Sequence, residues 1–169
     1  MSKESLHPEL RDTIAKLPTL PFHIKPLIPL TRQLYNLASK SKLDDGIDVR
    51  VVKHGELEMR VFKPRTGGSN AGVVWCYGGG HLAGKTEHVN RIANRIIAET
   101  GATVFAPKYR LAPKNPYPAD LDDCFRCWEH VCRNANTYGV SQDRLAIGGH
   151  SAGGGLAAAL ALRIHDSGG

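Results

Sequence analysis

The chain has 169 residues, of which 41% are hydrophobic and 22% are charged, with a formal net charge of +6 and a pI near 9.3. This length and composition predict one soluble globular domain with a sizeable core, or a core with a small appendage. Lysine and arginine occur singly along the chain, which favours a solvated surface over a nucleic-acid or membrane-surface patch.

The N-terminus, MSKESLHPEL, is polar, and four prolines interrupt the apolar run from Leu17 to Leu30. We therefore predict no secretory signal, no membrane span and a cytoplasmic location, with the four cysteines as reduced thiols. Cys124 and Cys127 form a CxxC pair inside a helical pattern, which favours packed thiols over a redox pair. No second cysteine pair completes a zinc site, and we expect neither a metal nor a cofactor.

Residues 1 to about 45 have apolar side chains at helical intervals on both sides of a proline-rich hinge, Pro18 to Pro29. These positions are Leu6, Leu10, Ile14, Leu17, Leu34 and Leu37. The pattern predicts two short helices joined by an extended link. As a functional unit, residues 1–45 would be a helical cap over a pocket, and the structural alternative is a packing arm.

Residues 46–169 are expected to form the core domain. From Ile47 the apolar period changes to two, and it resumes after His54-Gly55-Glu56 at Leu57, Met59 and Val61, which predicts an antiparallel hairpin.

From Ala71 onward, three apolar runs at 71–77, 102–106 and 144–148 alternate with helical patterns that begin near Thr86, Asp120 and Ser151. This order predicts a mostly parallel sheet with helices on both faces. The inward positions of the first two helices are expected to be Val89, Ile92, Ile96 and Ile97, then Leu121, Phe125, Trp128 and Val131 or Cys132.

The third strand and helix meet at Gly149-His150-Ser151-Ala152-Gly153, which fits the GxSxG pattern of a nucleophile elbow. A serine on such a sharp strand-to-helix turn projects its hydroxyl away from the sheet, and the flanking glycines allow the backbone to approach closely. The first N–H groups of the helix then face the place where negative charge would develop.

A second glycine-rich corner, Gly78-Gly79-Gly80, follows the first of these strands. It predicts an oxyanion hole whose donors are loop N–H groups and the N–H of Ala152. The spacing of Gly78, Gly80 and Ala83 also satisfies a loose dinucleotide pattern, GxGxxA, although that site expects a helix that opens at the glycines and an acidic residue after the next strand. A tight turn without a ligand is the remaining alternative.

Three blocks in order, YGGGHLAG, YRLAPKNPYPADLDD and YGVSQDRLAIGGHSAGG, together with the helical N-terminal arm, resemble the hormone-sensitive-lipase-like group of α/β-hydrolases. The resemblance implies the α/β-hydrolase fold and a carboxylesterase or lipase that acts on small-molecule esters, with N-terminal helices in a cap. It also implies that Ser151 is the nucleophile and that Gly79, Gly80 and Ala152 are the oxyanion donors. This chain departs from the usual pattern at Tyr77, Lys108 and His150, where the family has His, Asp and Asp.

The triad of this fold runs Ser, Asp or Glu, then His along the chain. The sequence ends at Gly169, so we expect the acid and the base to be absent and the fold to be incomplete. Loss of that machinery costs about a million-fold in turnover. A non-catalytic binder of small apolar or acyl ligands is the alternative function. The exposed edge of strand 144–148 would favour self-association or a partner chain.

Few residues could replace the missing base. His165 and Asp166 should lie roughly 20 Å from Ser151 along its own helix. His150 is expected to pack or to meet solvent. His81 is the one histidine that we expect near Ser151, and as a base it would need a hydrogen bond of about 3 Å; otherwise it lines the pocket.

Overall fold

The computed structural model describes residues 7–16, 21, 23–38 and 41–168. The helices and strands, in chain order, are α1 (Pro8–Ala15), α2 (Ile28–Ala38), β1 (Ile47–His54), β2 (Leu57–Pro64), β3 (Gly72–Cys76), α3 (Asn90–Thr100), β4 (Thr103–Pro107), α4 (Ala119–Arg133), α5 (Ala135–Tyr138), β5 (Leu145–Gly149) and α6 (Ala152–Asp166). Short 3-10 turns precede α2, α3 and β5 at Lys25–Leu27, Thr86–Val89 and Gln142–Arg144.

The two predicted N-terminal helices are present as α1 and α2. The second begins inside the expected hinge, because Pro29 occupies the first turn of α2, where a helix needs no N–H donor. Leu34 and Leu37 of α2 are exposed, and the predicted positions Leu6 and Leu17 lie outside the described residues. Helical spacing therefore located α2 but did not reveal which of its side chains are buried.

The five strands form a mixed sheet in the order β1-β2-β4-β3-β5. The hairpin β1–β2 has His54 opposite Leu57, so Gly55 and Glu56 make a two-residue turn, and Gly55 has a positive φ of 57°. β2 continues antiparallel against β4, whereas β3 runs parallel to both β4 and β5. The α/β-hydrolase architecture is confirmed, and the hairpin adds two antiparallel pairings to the parallel strands.

Helices cover both faces of the sheet, as the end of β3 shows. Trp75 points toward α3 and lines a cavity with Ile92, whereas the next side chain, Cys76, meets Cys124 of α4. Since successive strand side chains point to opposite faces, α3 and α4 lie on opposite sides of the sheet. α6 packs on the α4 side, where Arg163 lies 4.5 Å from the centre of the Phe125 ring.

The buried faces of α3 and α4 match the predicted ones only in part, since Val89, Ile97, Leu121 and Val131 are buried as expected. In and just before α3, the buried apolar residues are Val89, Ala93 and Ile97, while Ile92 and Ile96 are only partly buried. In α4 the buried apolar residues are Leu121, Cys124, Cys127 and Val131, while Phe125 and Trp128 pack at the margin of the core. Cysteine serves at the fully buried positions of α4 as a small apolar side chain.

β5 is an edge strand that pairs only with β3 among the described residues. No helix in the described part of the chain is long and apolar enough to cross a bilayer.

Candidate functional site

Ser151 lies at the junction of β5 and α6, as the GxSxG pattern predicts. Its backbone has φ 53° and ψ −130°, in a region that residues with a side chain rarely adopt, and the residue is exposed. Such a conformation costs on the order of 1–3 kcal/mol and persists only where the surrounding structure enforces it. The strand-to-helix turn therefore presents a strained, accessible serine.

The two glycines that flank this serine are required by close backbone contacts. A Cβ atom on Gly153 would collide with the carbonyl oxygens of Cys76 and Tyr77, and one on Gly149 would collide with the carbonyl oxygen of Gly153. The start of α6 therefore lies directly against the end of β3. This contact brings the serine turn and the glycine-rich loop to the same edge of the sheet.

The loop Gly78-Gly79-Gly80 leaves β3 and turns sharply before the next helix. Gly79 has φ 141°, and its carbonyl oxygen accepts hydrogen bonds from the N–H groups of Leu82 and Ala83 at 3.1 and 2.9 Å. The first 3-10 turn begins only at Thr86 and α3 only at Asn90. Because no helix opens at the glycines, the loop lacks the geometry of a dinucleotide site.

The backbone N–H groups of the glycine loop and the serine turn include one that is hydrogen-bonded to a described residue and three that are not. The N–H of Gly78 donates to Nε2 of His150 at 3.2 Å. Within the described part of the chain, the N–H groups of Gly79, Gly80 and Ala152 donate to no protein acceptor. Three unpaired backbone donors thus accompany the exposed Ser151.

Two tyrosines form the base of the glycine loop. The hydroxyl of Tyr109 donates to the carbonyl oxygen of Tyr77 at 2.6 Å, and that of Tyr77 to the carbonyl oxygen of Tyr109 at 3.4 Å. Burial raises the pKa of both phenols, so each remains a neutral donor. Tyr77, the departure from the family's histidine, is therefore the residue that fixes the start of the loop.

The far side of the loop is supported by α2 and by the segment after β4. Arg32 of α2 donates to the carbonyl oxygens of Leu82 and Ala112 at 2.7 and 3.0 Å, and Asn36 accepts from the N–H of Gly84 at 3.2 Å. The N–H of Ala112 donates in turn to the carbonyl oxygen of His81 at 3.0 Å. Arg32 and Asn36 were not predicted, because no local pattern marks a contact across fifty residues.

The arginine of the YRLAP block has a structural partner. Arg110 donates to Asp123 of α4 through both its backbone N–H and its guanidinium, at 2.8 and 2.9 Å to Oδ2. Asp123 is buried, so this charge-assisted pair joins the segment after β4 to the helix.

The described histidines form no hydrogen bond with Ser151. His81 instead bonds through Nδ1 to Oδ2 of Asp120 at 2.7 Å, and the Asp120 carboxyl group is largely buried. His165 and Asp166 lie at the far end of the unbroken helix α6. His150 is exposed and stacks on Trp75, as expected, and it also accepts a hydrogen bond from the glycine loop, which was not predicted.

The cysteines near the site are free thiols. Sγ of Cys76 lies 3.7 Å from Sγ of Cys124, too far for a disulfide, and Cys127 contacts the sulfur of Met59. Burial raises the pKa of Cys124 and of Cys127, which disfavours the reactive thiolate. The CxxC pair is therefore packing, and no group of three potential metal ligands occurs among the described residues.

Comparison with known proteins identifies the fold family. A family model described as alpha/beta hydrolase fold matches residues 73–169. A carboxylesterase, NlhH, of Mycobacterium tuberculosis is 36% identical over 68% of this chain and 36% of its own length. An arylesterase of Saccharolobus solfataricus is 33% identical over 66% of this chain and 37% of its own length.

Solved structures extend the likeness to nearly the whole chain. A bacterial heroin esterase superposes with a TM-score of 0.84 and 30% identity, and it covers 98% of this chain. The match includes 55% of that esterase. The chain therefore spans about a third of these curated relatives and about half of this solved structure.

Proposed function

This chain belongs to the family of α/β-hydrolase fold proteins, and on that premise we propose that it provides the nucleophile and oxyanion hole of a serine carboxylesterase. In this proposal the Ser151 hydroxyl oxygen attacks the carbonyl carbon of an ester and forms a tetrahedral intermediate. Collapse of that intermediate releases the alcohol and leaves the acyl group on the serine. Water then attacks the acyl-serine and releases the acid.

The conformation of Ser151 is the observation that carries the proposal. A serine at φ 53° is strained, and the turn that imposes this strain also leaves the residue exposed. A serine that only terminated a strand would relax to an ordinary conformation or be replaced by glycine. Strain that survives at an exposed hydroxyl is typical of a nucleophile elbow.

The free N–H groups of Gly79, Gly80 and Ala152 support the oxyanion assignment. Backbone donors that already point into a site stabilise a developing alkoxide without reorganisation, and each is typically worth about 3 kcal/mol of barrier. Gly78 is excluded from this set because its N–H is bonded to His150.

The relatives named as carboxylesterase, arylesterase and heroin esterase support carboxylic esters as the substrate class. The α2 helix supports the loop through Arg32, so we propose that residues 1–45 act as part of a cap over the substrate. None of the described histidines bonds to Ser151, so we expect the chain alone to acylate slowly and to turn over poorly.

The test is covalent labelling of the purified chain with a fluorophosphonate probe, followed by mass spectrometry of the modified peptide. We expect a single adduct at Ser151 that is absent in Ser151→Ala and retained in Ser141→Ala. Labelling that persists in Ser151→Ala, or no labelling of the folded wild-type chain, would refute the proposal. Hydrolysis of a chromogenic short-chain ester then measures turnover, which we expect to be slow and to require Ser151.

A further inference from the structure

His150 forms a direct link between the serine turn and the glycine loop. It immediately precedes Ser151, and its Nε2 accepts a hydrogen bond from the N–H of Gly78 at 3.2 Å. A Cβ atom on Gly78 would lie only 2.8 Å from the carbonyl oxygen of His150 and 3.0 Å from its ring, so the two backbones are in close contact there. The link therefore joins the proposed nucleophile's neighbour to the first residue of the loop.

A second N–H group faces the other nitrogen of the same ring. The indole Nε1 of Trp75 lies 3.4 Å from Nδ1 of His150, and the two rings stack with centroids 6.4 Å apart. A neutral imidazole accepts at one nitrogen only, so the two hydrogen bonds cannot form together. The contact with Gly78 is shorter, which favours the tautomer with the proton on Nδ1.

The hydrogen bond from Gly78 requires a neutral imidazole. Protonated histidine has N–H groups at both nitrogens and no acceptor, so an imidazolium would face the donors of Gly78 and Trp75 with donors of its own. The charged and titratable groups that share the adjoining cavity with Trp75 and His150 are His88, Arg91 and Arg95. This set contains no carboxylate to stabilise an imidazolium.

We propose that His150 is a positioning residue that fixes the glycine loop against the serine turn, and that its protonation releases the loop. The inference rests on the proposed function, because its consequence is the placement of the Gly79 and Gly80 donors. When Gly78 loses its acceptor, the next two N–H groups lose their fixed direction. Since the oxyanion hole depends on preorganised donors, the reactivity of Ser151 falls.

The first test is independent of activity and follows the backbone amide of Gly78 by NMR as the pH is lowered. We expect this amide to shift together with the imidazole resonances of His150. In His150→Gln, whose amide oxygen can reach the same donor without titrating, the Gly78 shift should remain constant. His88 still titrates in this variant, so the comparison separates the two histidines. If the chemical shift of the Gly78 amide does not change as His150 is protonated, the hydrogen bond between the two residues is refuted.

The second test measures the rate of fluorophosphonate labelling at Ser151. We expect His150→Leu to label about tenfold more slowly than wild type, in line with the sensitivity of catalysis to misplaced groups. At neutral pH, His150→Gln should be labelled at a rate within about threefold of the wild-type rate. Its labelling rate should also lack the decrease at low pH that protonation of His150 causes in wild type.

The outcomes of the two tests separate the two proposals. Equal labelling of wild type and folded His150→Leu would refute the positioning role while leaving the proposed nucleophile intact. Absence of labelling in wild type would refute the proposed function and, with it, the positioning role. The pH dependence of the Gly78 amide would then still test whether the hydrogen bond to His150 exists.

Discussion

The hydroxyl of Tyr109 donates to the carbonyl oxygen of Tyr77 over 2.6 Å, and the two buried rings stack with centroids 4.2 Å apart. Tyr77 is the last residue before the glycine loop, and Tyr109 begins the YRLAP block. This bond therefore fixes the loop at its origin. It also satisfies a carbonyl group that has no access to water.

Tyr109→Phe is expected to lower the free energy of unfolding by about 1–3 kcal/mol, because it leaves the Tyr77 carbonyl group without this donor while retaining the ring. Urea denaturation followed by circular dichroism measures the change. Tyr117→Phe is the matched control, since that tyrosine is 77% exposed and should tolerate the loss of its hydroxyl. Equal stability of the two variants would show that the buried bond contributes little.

Gly153→Ala should destabilise the fold by about 3 kcal/mol or more, because the new Cβ would collide with the carbonyl oxygens of Cys76 and Tyr77. Gly155→Ala, in the same helix, meets nothing within 4 Å and should instead stabilise by about 1 kcal/mol through helix propensity. Thermal unfolding of both variants tests the pair. A Gly153→Ala variant as stable as Gly155→Ala would contradict the close contact between α6 and β3.

Ser151→Gly should be more stable than Ser151→Ala by about 1 kcal/mol. Glycine relieves the backbone strain at φ 53°, whereas alanine retains it. The stability gained in this way exceeds the stability that glycine costs by raising the conformational entropy of the unfolded chain. Neither variant can be labelled at this position, so the comparison isolates backbone strain from chemistry. Denaturant titration measures the difference, and the opposite order of stability would show that the turn is relaxed.

The stability of the fold should decrease as the pH falls through the ordinary pKa of histidine, about 6.5. Burial lowers the pKa of His88, so in this range the unfolded state binds protons that the folded state does not. Stability then rises with pH until both states are neutral.

His88→Gln should therefore lose less stability than wild type between pH 7 and about pH 5.5, as chemical denaturation at each pH can measure. His7→Gln, at the exposed start of α1, is the control and should follow wild type. If the stability of His88→Gln declines with acid as steeply as that of wild type, His88 is not the group responsible.

The elements of the core were largely predictable because their signals are local. The hairpin followed from alternation around Gly55, the elbow from Gly149 and Gly153, and the strand-helix order from apolar runs. The buried face of α4 was not predictable from helical spacing. Phe125 and Trp128 are the larger apolar residues, but Cys124 and Cys127, which pack as small apolar side chains, are the fully buried ones.

The candidate site likewise has features that the sequence predicts and features that it does not. The sequence alone determined where a serine and a glycine loop stand at strand ends, because glycine is required wherever a Cβ atom would collide with backbone. Only the tertiary structure decided which donors are free and which are bonded. The partners of Gly78, Tyr77 and His81 lie between 32 and 72 residues away along the chain. Such pairings arise from the packing of strands and helices, which no local pattern specifies.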